Sequence, residues 1–260
     1  MQDMKLVLSR DARQLRRDRH CSYHRELNWA SNLARLSWWS AMKAALKVLH
    51  RLSIHGREHL PADPSFVMVS NHASHLDALV LGAALPLRLR NQLYPLAAGD
   101  VFFETPRMAA FSATFLNALP VWRKNFGAHA VKELRGLLLD QPSIFIFFPE
   151  GGRTRDGLMR EFRAGVGMLT AETSVPVIPC YVSGTFEAFP PYSRFPRPRK
   201  VSVHIGQPRV FTSVDNRRSG WEHIRATIEA DVRALGEAAG AGRNVPPLER
   251  RARLAAQWRY

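Results

Sequence analysis

The spacing of apolar residues divides this chain into a polar basic arm, a helical segment, and short apolar runs alternating with helical stretches. From Glu26 to His50, Trp29, Leu33, Leu36, Trp39, Met42, Leu46 and Leu49 recur every three or four residues, which predicts an amphipathic helix or a helix pair. Its other side carries Arg35, Lys43 and Lys47. Indoles at an apolar edge with cations nearby suit a helix lying in a bilayer interface, and a helix packed on the protein's own core fits the same periodicity. The adjacent Trp38 and Trp39 favour the interface, since two neighbouring indoles are hard to bury together.

Beyond this segment, Phe66-Val67-Met68-Val69 reads as a buried strand, followed by a loop and a helix near Leu76–Leu85. A strand near Tyr94–Ala98, a helix near Arg107–Leu116 and an extended Pro120-Val121-Trp122 come next. Val131, Leu134 and Leu138 mark a further helix, and Ile144-Phe145-Ile146-Phe147-Phe148 is continuous enough to be covered on both faces. A helix near Gly165–Glu172 leads to a strand at Val175–Tyr181. Val201, Val203 and Ile205 alternate as in a strand with one wetter face, and Trp221, Ile224, Ile228, Val232 and Leu235 share one helical face. Strands separated by helices predict an α/β fold: a mixed central sheet with helices on both faces, preceded by an N-terminal amphipathic helical segment. Residues 1–25 are expected outside the core.

Charge narrows the choice of partners. The 260 residues hold 37 Lys and Arg against 22 Asp and Glu, a formal charge of +15. Such a surface attracts an anionic bilayer, nucleic acid or an acidic carrier, and composition does not separate them. No zinc finger, RRM signature or aromatic-interleaved basic stripe supports nucleic acid. No run of 18 apolar residues predicts an ordinary membrane span, and no apolar stretch follows the N-terminal arginines as in a cleaved signal. Cys21 and Cys180 read as buried or incidental thiols. Pro190, Pro191, Pro196 and Pro198, interleaved with Arg194, Arg197, Arg199 and Lys200, form a stiff basic loop that suits phosphate headgroups or plain solvent.

Two constellations carry chemistry. Asn71-His72-Ala73-Ser74-His75-Leu76-Asp77 directly follows a predicted strand. In a loop-to-helix turn Asp77 can accept a proton from one imidazole nitrogen of His72, leaving the other as a base for an alcohol. Asp77 as a simple turn cap fits the same residues. Metal ligation by His72, His75 and Asp77 fits less well, since no further His/Cys cluster completes a site. The second is Phe148-Pro149-Glu150-Gly151-Gly152-Arg153-Thr154-Arg155, where two glycines permit a turn whose amides face an anion. Arg153 can grip phosphate through a bidentate fork, and Glu150 can orient a polyol hydroxyl or hold the arginine. A strand-to-loop turn with a surface arginine accounts for that segment equally well. The P-loop pattern is absent.

Together these residues resemble the glycerolipid acyltransferase family, which includes 1-acyl-glycerol-3-phosphate acyltransferases. Its Asn-His-x-Ser-x-x-Asp signature is matched by Asn71, His72, Ser74 and Asp77. A block ending in arginine is matched by Pro120-Val121-Trp122-Arg123, and Phe-Pro-Glu-Gly-Thr-Arg-Ser by Phe148 to Thr154. Phe162-Arg163-Ala164-Gly165 matches Phe-Lys-x-Gly, and Val175-Pro176-Val177-Ile178-Pro179 matches the last block. The blocks stand in family order across about residues 50–210. Two departures leave the acceptor open: Gly152 replaces the usual threonine, and Ala98 to Phe103 lacks a lysine common in the family.

The resemblance implies that His72 and Asp77 form the catalytic dyad. It implies that Arg123 and Arg153, with Glu150 and Gly151, bind the acceptor phosphate, and that Pro179 shapes a substrate pocket. It further implies transfer from acyl-CoA or acyl-carrier protein, as co-substrate without a cofactor, to a lysophosphatidic acid-like hydroxyl, forming phosphatidic acid. The expected partners are an anionic membrane surface and a phosphorylated lipid, at the cytoplasmic face of the cell membrane, peripheral or monotopic. Residues 1–50 are expected as a basic arm and membrane-surface helices, 51–240 as the acyltransferase domain and 241–260 as a basic tail. The competing readings are acylation of another lysophospholipid or hydroxylated lipid, a lipid hydrolase, and a non-enzymatic basic lipid- or nucleic-acid-binding module. Ser74 lacks the Gly-x-Ser-x-Gly setting of a nucleophile, so packing or capping is expected of it.

Overall fold

The computed structural model describes residues 29–98, 111–112, 114–121 and 128–240. The basic arm, Cys21, Trp122, Arg123, the lysine-free segment after Ala98, the basic tail and most of the helix expected near Arg107–Leu116 lie outside the described residues. At the end of that expected helix, Phe115 N–H donates to Phe111 O (2.9 Å).

The described elements run α1 (Trp29–Leu49), β1 (Ser53–His55), β2 (Phe66–Ser70), α2 (Asp77–Ala84), β3 (Leu93–Ala98), β4 (Leu119–Val121), α3 (Ala128–Asp140), β5 (Ile144–Phe147), α4 (Gly165–Thr170), β6 (Val177–Ser183), α5 (Thr185–Ala188), β7 (Ser202–Ile205) and α6 (Arg218–Ala238). The seven strands form one sheet in the order β1-β7-β6-β2-β5-β3-β4. Every pairing is parallel except β6 with β7, so the sheet is mixed, as the alternation of elements predicts.

Alternate residues of the central strands feed two separate cores, as the pleat requires. Phe66, Met68, Ile144, Ile146, Ile178 and Cys180 face the core of α1 and α2. Val67, Val69, Phe145, Phe147 and Val177 face the core that Leu134 and Leu138 of α3, Val166 and Leu169 of α4, and Ile224, Ile228 and Val232 of α6 complete. This explains the unbroken apolar run of β5: a strand covered on both faces has no polar side. By contrast β7 alternates half-buried with buried positions. Cys180 is a buried free thiol, which burial pushes above its usual range.

The face of α1 that meets the core differs from the expectation for Trp38 and Trp39. Trp39 is 2% exposed, and its ring lies on Gly82 of α2, where an added Cβ would come within 2.4 Å of it. Trp38 sets its edge on Phe111, with ring centroids 5.2 Å apart. Two adjacent indoles are accommodated because α1 packs against two partners at once: α2 beneath Trp39, and the rings of Phe111 and Phe115 beside Trp38. The same crowding draws Arg35 inward, where Nε donates to Thr114 O (3.0 Å) and Nη1 to Asn91 Oδ1 (3.2 Å). Lys43 reaches Leu85 O, and burial, with Arg57 nearby, lowers its pKa. The exposed large apolar residues of α1 are Trp29, Leu33, Val48 and Leu49.

If Trp39 anchors α1, Trp39→Ala removes a filled core position and lowers stability by about 3–5 kcal/mol in urea unfolding. Trp29 is 81% exposed, and Trp29→Ala shifts stability by less than about 0.5 kcal/mol. Equal effects would show that α1 is not part of the core.

Candidate active site

β2 and β5 are adjacent and parallel, in register from Phe66 with Ile144 to Val69 with Phe147, so the loops that follow them leave the sheet side by side. Beyond β2, Asn71 replaces a backbone rung with its side chain. Its Nδ2 donates to Val182 O (3.0 Å), and its Oδ1 accepts the Val182 N–H (2.8 Å). This ties the start of the loop to β6 while freeing its backbone to turn.

Asp77, the first residue of α2, is completely buried. Its Oδ2 accepts Nδ1–H of His72 (2.9 Å), the Ala73 N–H (2.7 Å) and the Ser74 N–H (2.8 Å). Capping the turn and holding the imidazole are therefore one arrangement, not alternatives. A carboxylate acceptor selects the tautomer protonated at Nδ1 and leaves the Nε2 lone pair free for a proton. The His72 side chain keeps 20% of its surface exposed and stacks on Phe148 at a centroid distance of 4.1 Å. Ser74 Oγ donates to Phe189 O (2.6 Å) and accepts the Leu76 N–H (3.1 Å), the packing and capping part expected of it.

The second constellation grips the same histidine by its backbone. Glu150 Oε1 accepts the His72 N–H (2.8 Å), and Thr154 N–H donates to His72 O (2.8 Å). Glu150 Oε2 accepts the Arg160 N–H (3.2 Å). Its hydrogen bonds thus run to the backbone of His72 and Arg160, and the carboxyl is only 5% exposed. Burial pushes its pKa from 4.5 up to about 8, against the pull of the His72 and Arg160 amides, and Asp77 adds to the rise. Of the two glycines, Gly151 takes the left-handed φ of 74°. The Arg163 guanidinium packs against it, 2.9 Å from where a Cβ would stand.

Arg153 meets the site through His75, whose Nε2 accepts from its Nη1. Burial, then Arg153, then His72 lower the His75 pKa to about 4, so the imidazole is neutral near physiological pH and can accept that bond. The sequence offers His75 as a metal ligand alone. Its position in the turn between His72 and Asp77 is the one signal the sequence carries for its contact with Arg153. The loop after Arg153 is secured by α6, where Glu229 accepts the Phe162 N–H (2.9 Å) and pairs with Arg225 (2.9 Å) and Arg233 (2.8 Å).

His72, Asp77, Glu150, Gly151 and Arg153 thus lie together at one end of the sheet, in two adjoining loops and the first turn of α2. Pro179 sits lower, buried in β6 level with Val69. Arg123 lies outside the described residues. No group of three or more His, Cys, Asp or Glu suited to a metal ion occurs among the described residues.

The acyltransferase family model matches residues 51–183, which include both loops. Among curated relatives, a 1-acyl-sn-glycerol-3-phosphate acyltransferase alpha of Mus musculus is 29% identical over 61% of this chain and 54% of its own length. A chloroplastic 1-acyl-sn-glycerol-3-phosphate acyltransferase of Brassica napus is 32% identical over 54% of this chain and 40% of its own length. The chain thus spans about half the length of these relatives. The 1-acyl-sn-glycerol-3-phosphate acyltransferase of Bacillus subtilis is 25% identical over 65% of this chain and 79% of its own length. In fold, the chain is similar to the 1-acyl-sn-glycerophosphate acyltransferase PlsC of Thermotoga maritima. The TM-score is 0.64 at 23% identity, over 90% of this chain and 94% of that one.

The raised pKa of Glu150 has a consequence for stability. Above pH 4.5 the unfolded chain releases a proton that the folded chain retains up to about pH 8. The contribution of Glu150 to stability is therefore full below pH 4.5 and lost as pH rises to about 8. In urea unfolding, wild type should lose stability across that window relative to Glu150→Gln. A constant difference between the two would contradict the buried, amide-bound carboxyl.

Proposed function

The chain belongs to the acyltransferase family, and on that premise we propose that its site moves a fatty acyl group from a thioester donor to the hydroxyl of a phosphorylated lipid. The acceptor is lysophosphatidic acid-like, the product phosphatidic acid, and the donor acyl-CoA or acyl-carrier protein. The observation that carries this reading is the 2.9 Å bond from His72 Nδ1 to the buried Asp77 carboxylate. The relatives named above, each a 1-acyl-sn-glycerol-3-phosphate acyltransferase, support the choice of acceptor.

In this reading His72 Nε2 removes the hydroxyl proton as the oxygen attacks the thioester carbonyl. The new C–O bond forms, the C–S bond breaks, and His72 returns the proton to the departing thiolate. Asp77 stabilises the imidazolium in between without taking its proton. Backbone amides near the dyad or the glycine turn stabilise the developing oxyanion. Arg153 and Arg123 hold the acceptor phosphate so that the hydroxyl is presented to His72. Glu150 and Gly151 shape that phosphate-binding turn, with Glu150 also fixing the backbone of His72. Pro179 contributes to the substrate pocket. Residues 1–50 form the membrane-surface part of the enzyme, 51–240 the catalytic domain and 241–260 a basic tail. The enzyme works as a peripheral or monotopic protein at the cytoplasmic face of the membrane. No helix among the described residues is long and apolar enough to cross a membrane.

Incubation with acyl-CoA or acyl-carrier protein and a panel of lysolipids, read by product mass, tests the activity and identifies donor and acceptor. His72→Ala should lower kcat by at least about 10³-fold while remaining folded. Unchanged turnover would remove the proposed base. Arg153→Lys keeps the charge but loses the fork, and should raise KM for a phosphorylated acceptor roughly tenfold with a smaller effect on kcat. An unchanged KM would exclude Arg153 from phosphate binding.

A further inference from the structure

Resting on the lipid-acceptor reading above, we infer that the loop joining α5 to β7, together with the C-terminal end of α1, forms the surface that docks the catalytic loops onto an anionic phospholipid bilayer.

Three observations converge on this surface. First, from Arg194 to Lys200 every residue is exposed, and Phe195 at the tip is 78% exposed among Arg194, Arg197, Arg199 and Lys200. Residues 188–214 contain no Asp or Glu, so no carboxylate of that stretch offsets this charge. An aromatic ring that can enter the acyl boundary, surrounded by cations that can reach phosphates, is the chemistry of interfacial lipid binding. An acidic protein partner would account for the cations and leave the presented phenyl ring unexplained.

Second, the loop is held at both ends. Arg197 N–H donates to Ala188 O (2.7 Å), and Ser193 Oγ donates to Phe195 O (2.9 Å). At its far end His50 Nδ1 meets Arg199 O (3.3 Å), and Val201 N–H donates to His50 O (2.9 Å). His50 immediately follows α1, and Lys47, Val48 and Leu49 of α1 and the following Arg51 are exposed, Val48 at 74% and Leu49 at 51%. Aliphatic and basic side chains of α1 thereby adjoin the basic loop, and four prolines stiffen it.

Third, the loop begins against the middle of the catalytic loop. Phe189 O accepts Ser74 Oγ (2.6 Å), and the Phe189 ring lies 5.4 Å from that of His75. Binding lipid here brings the bilayer to the residues that would receive a membrane-borne acceptor.

The test uses the full chain carrying His72→Ala, so that vesicle binding is read without turnover. Affinity is measured by co-sedimentation with phosphatidylcholine vesicles, with and without phosphatidylglycerol. Phe195→Ser should weaken binding to the anionic vesicles at least about tenfold. Arg197→Gln with Arg199→Gln should weaken it roughly fivefold per charge and flatten the dependence on phosphatidylglycerol. Leu139→Ser, at a 52% exposed apolar site on α3 across the sheet, should leave binding unchanged. In addition, Phe195→Trp should be quenched by brominated lipid. Unaltered vesicle affinity in the loop variants would overturn the inference, as would loss of acyl-carrier protein binding with vesicle binding intact. If the His72→Ala chain binds vesicles through this loop and the wild-type chain transfers no acyl group to any lysolipid, the proposed activity is refuted and this surface stands.

Discussion

Asp77 has no solvent exposure, and its carboxylate bonds through one oxygen: Oδ2 gathers two backbone amides and the Nδ1–H of His72, while Oδ1 is buried without a hydrogen bond. Charge-assisted bonds of this kind are roughly twice as strong as neutral ones, and a buried acceptor left without them is costly. The loop between β2 and α2 is therefore not free to move independently of the imidazole. Ala73 and Ser74 cannot leave without exposing the carboxylate, and His72 cannot rotate without giving up the charged acceptor.

The remainder of the fold serves to place a second loop beside the first. Because β2 and β5 are parallel neighbours, the turn after β5 reaches the backbone of His72 from the other side, through Glu150 and the Thr154 amide. Asn71 and Ser74 fasten the same loop to β6 and to Phe189. α6 closes the sequence of supports through Glu229, which holds the segment leading away from Arg153. His72 is thus fixed both at its ring and at both of its backbone polar groups, and the proton transfer proposed for it needs such geometry set before substrate arrives.

Much of this is legible in the residues themselves. The run Ile144–Phe148 announces a strand covered on both faces, and the five-residue step from His72 to Asp77 straddles a strand-to-helix turn. What the sequence conceals is set by tertiary packing. β1 has three residues and draws its order from pairing with β7, so it carries no periodicity to read. Arg35, expected on the polar side of α1, lies inside together with Trp39, because that helix is packed on two sides and an arginine satisfied by Thr114 O and Asn91 can be buried. The hold of Glu150 on the His72 backbone joins residues 78 apart, a distance over which no local pattern operates. The neutral His75 beside Arg153 is likewise a product of burial.

Nitrogen NMR of the histidine-labelled protein reads directly whether Asp77 fixes the tautomer of His72. In its neutral form His72 should carry the proton on Nδ1 with Nε2 bare, and Asp77→Asn should convert that signal to a mixture of tautomers. A neutral wild-type His72 carrying its proton on Nε2 would contradict that role of Asp77.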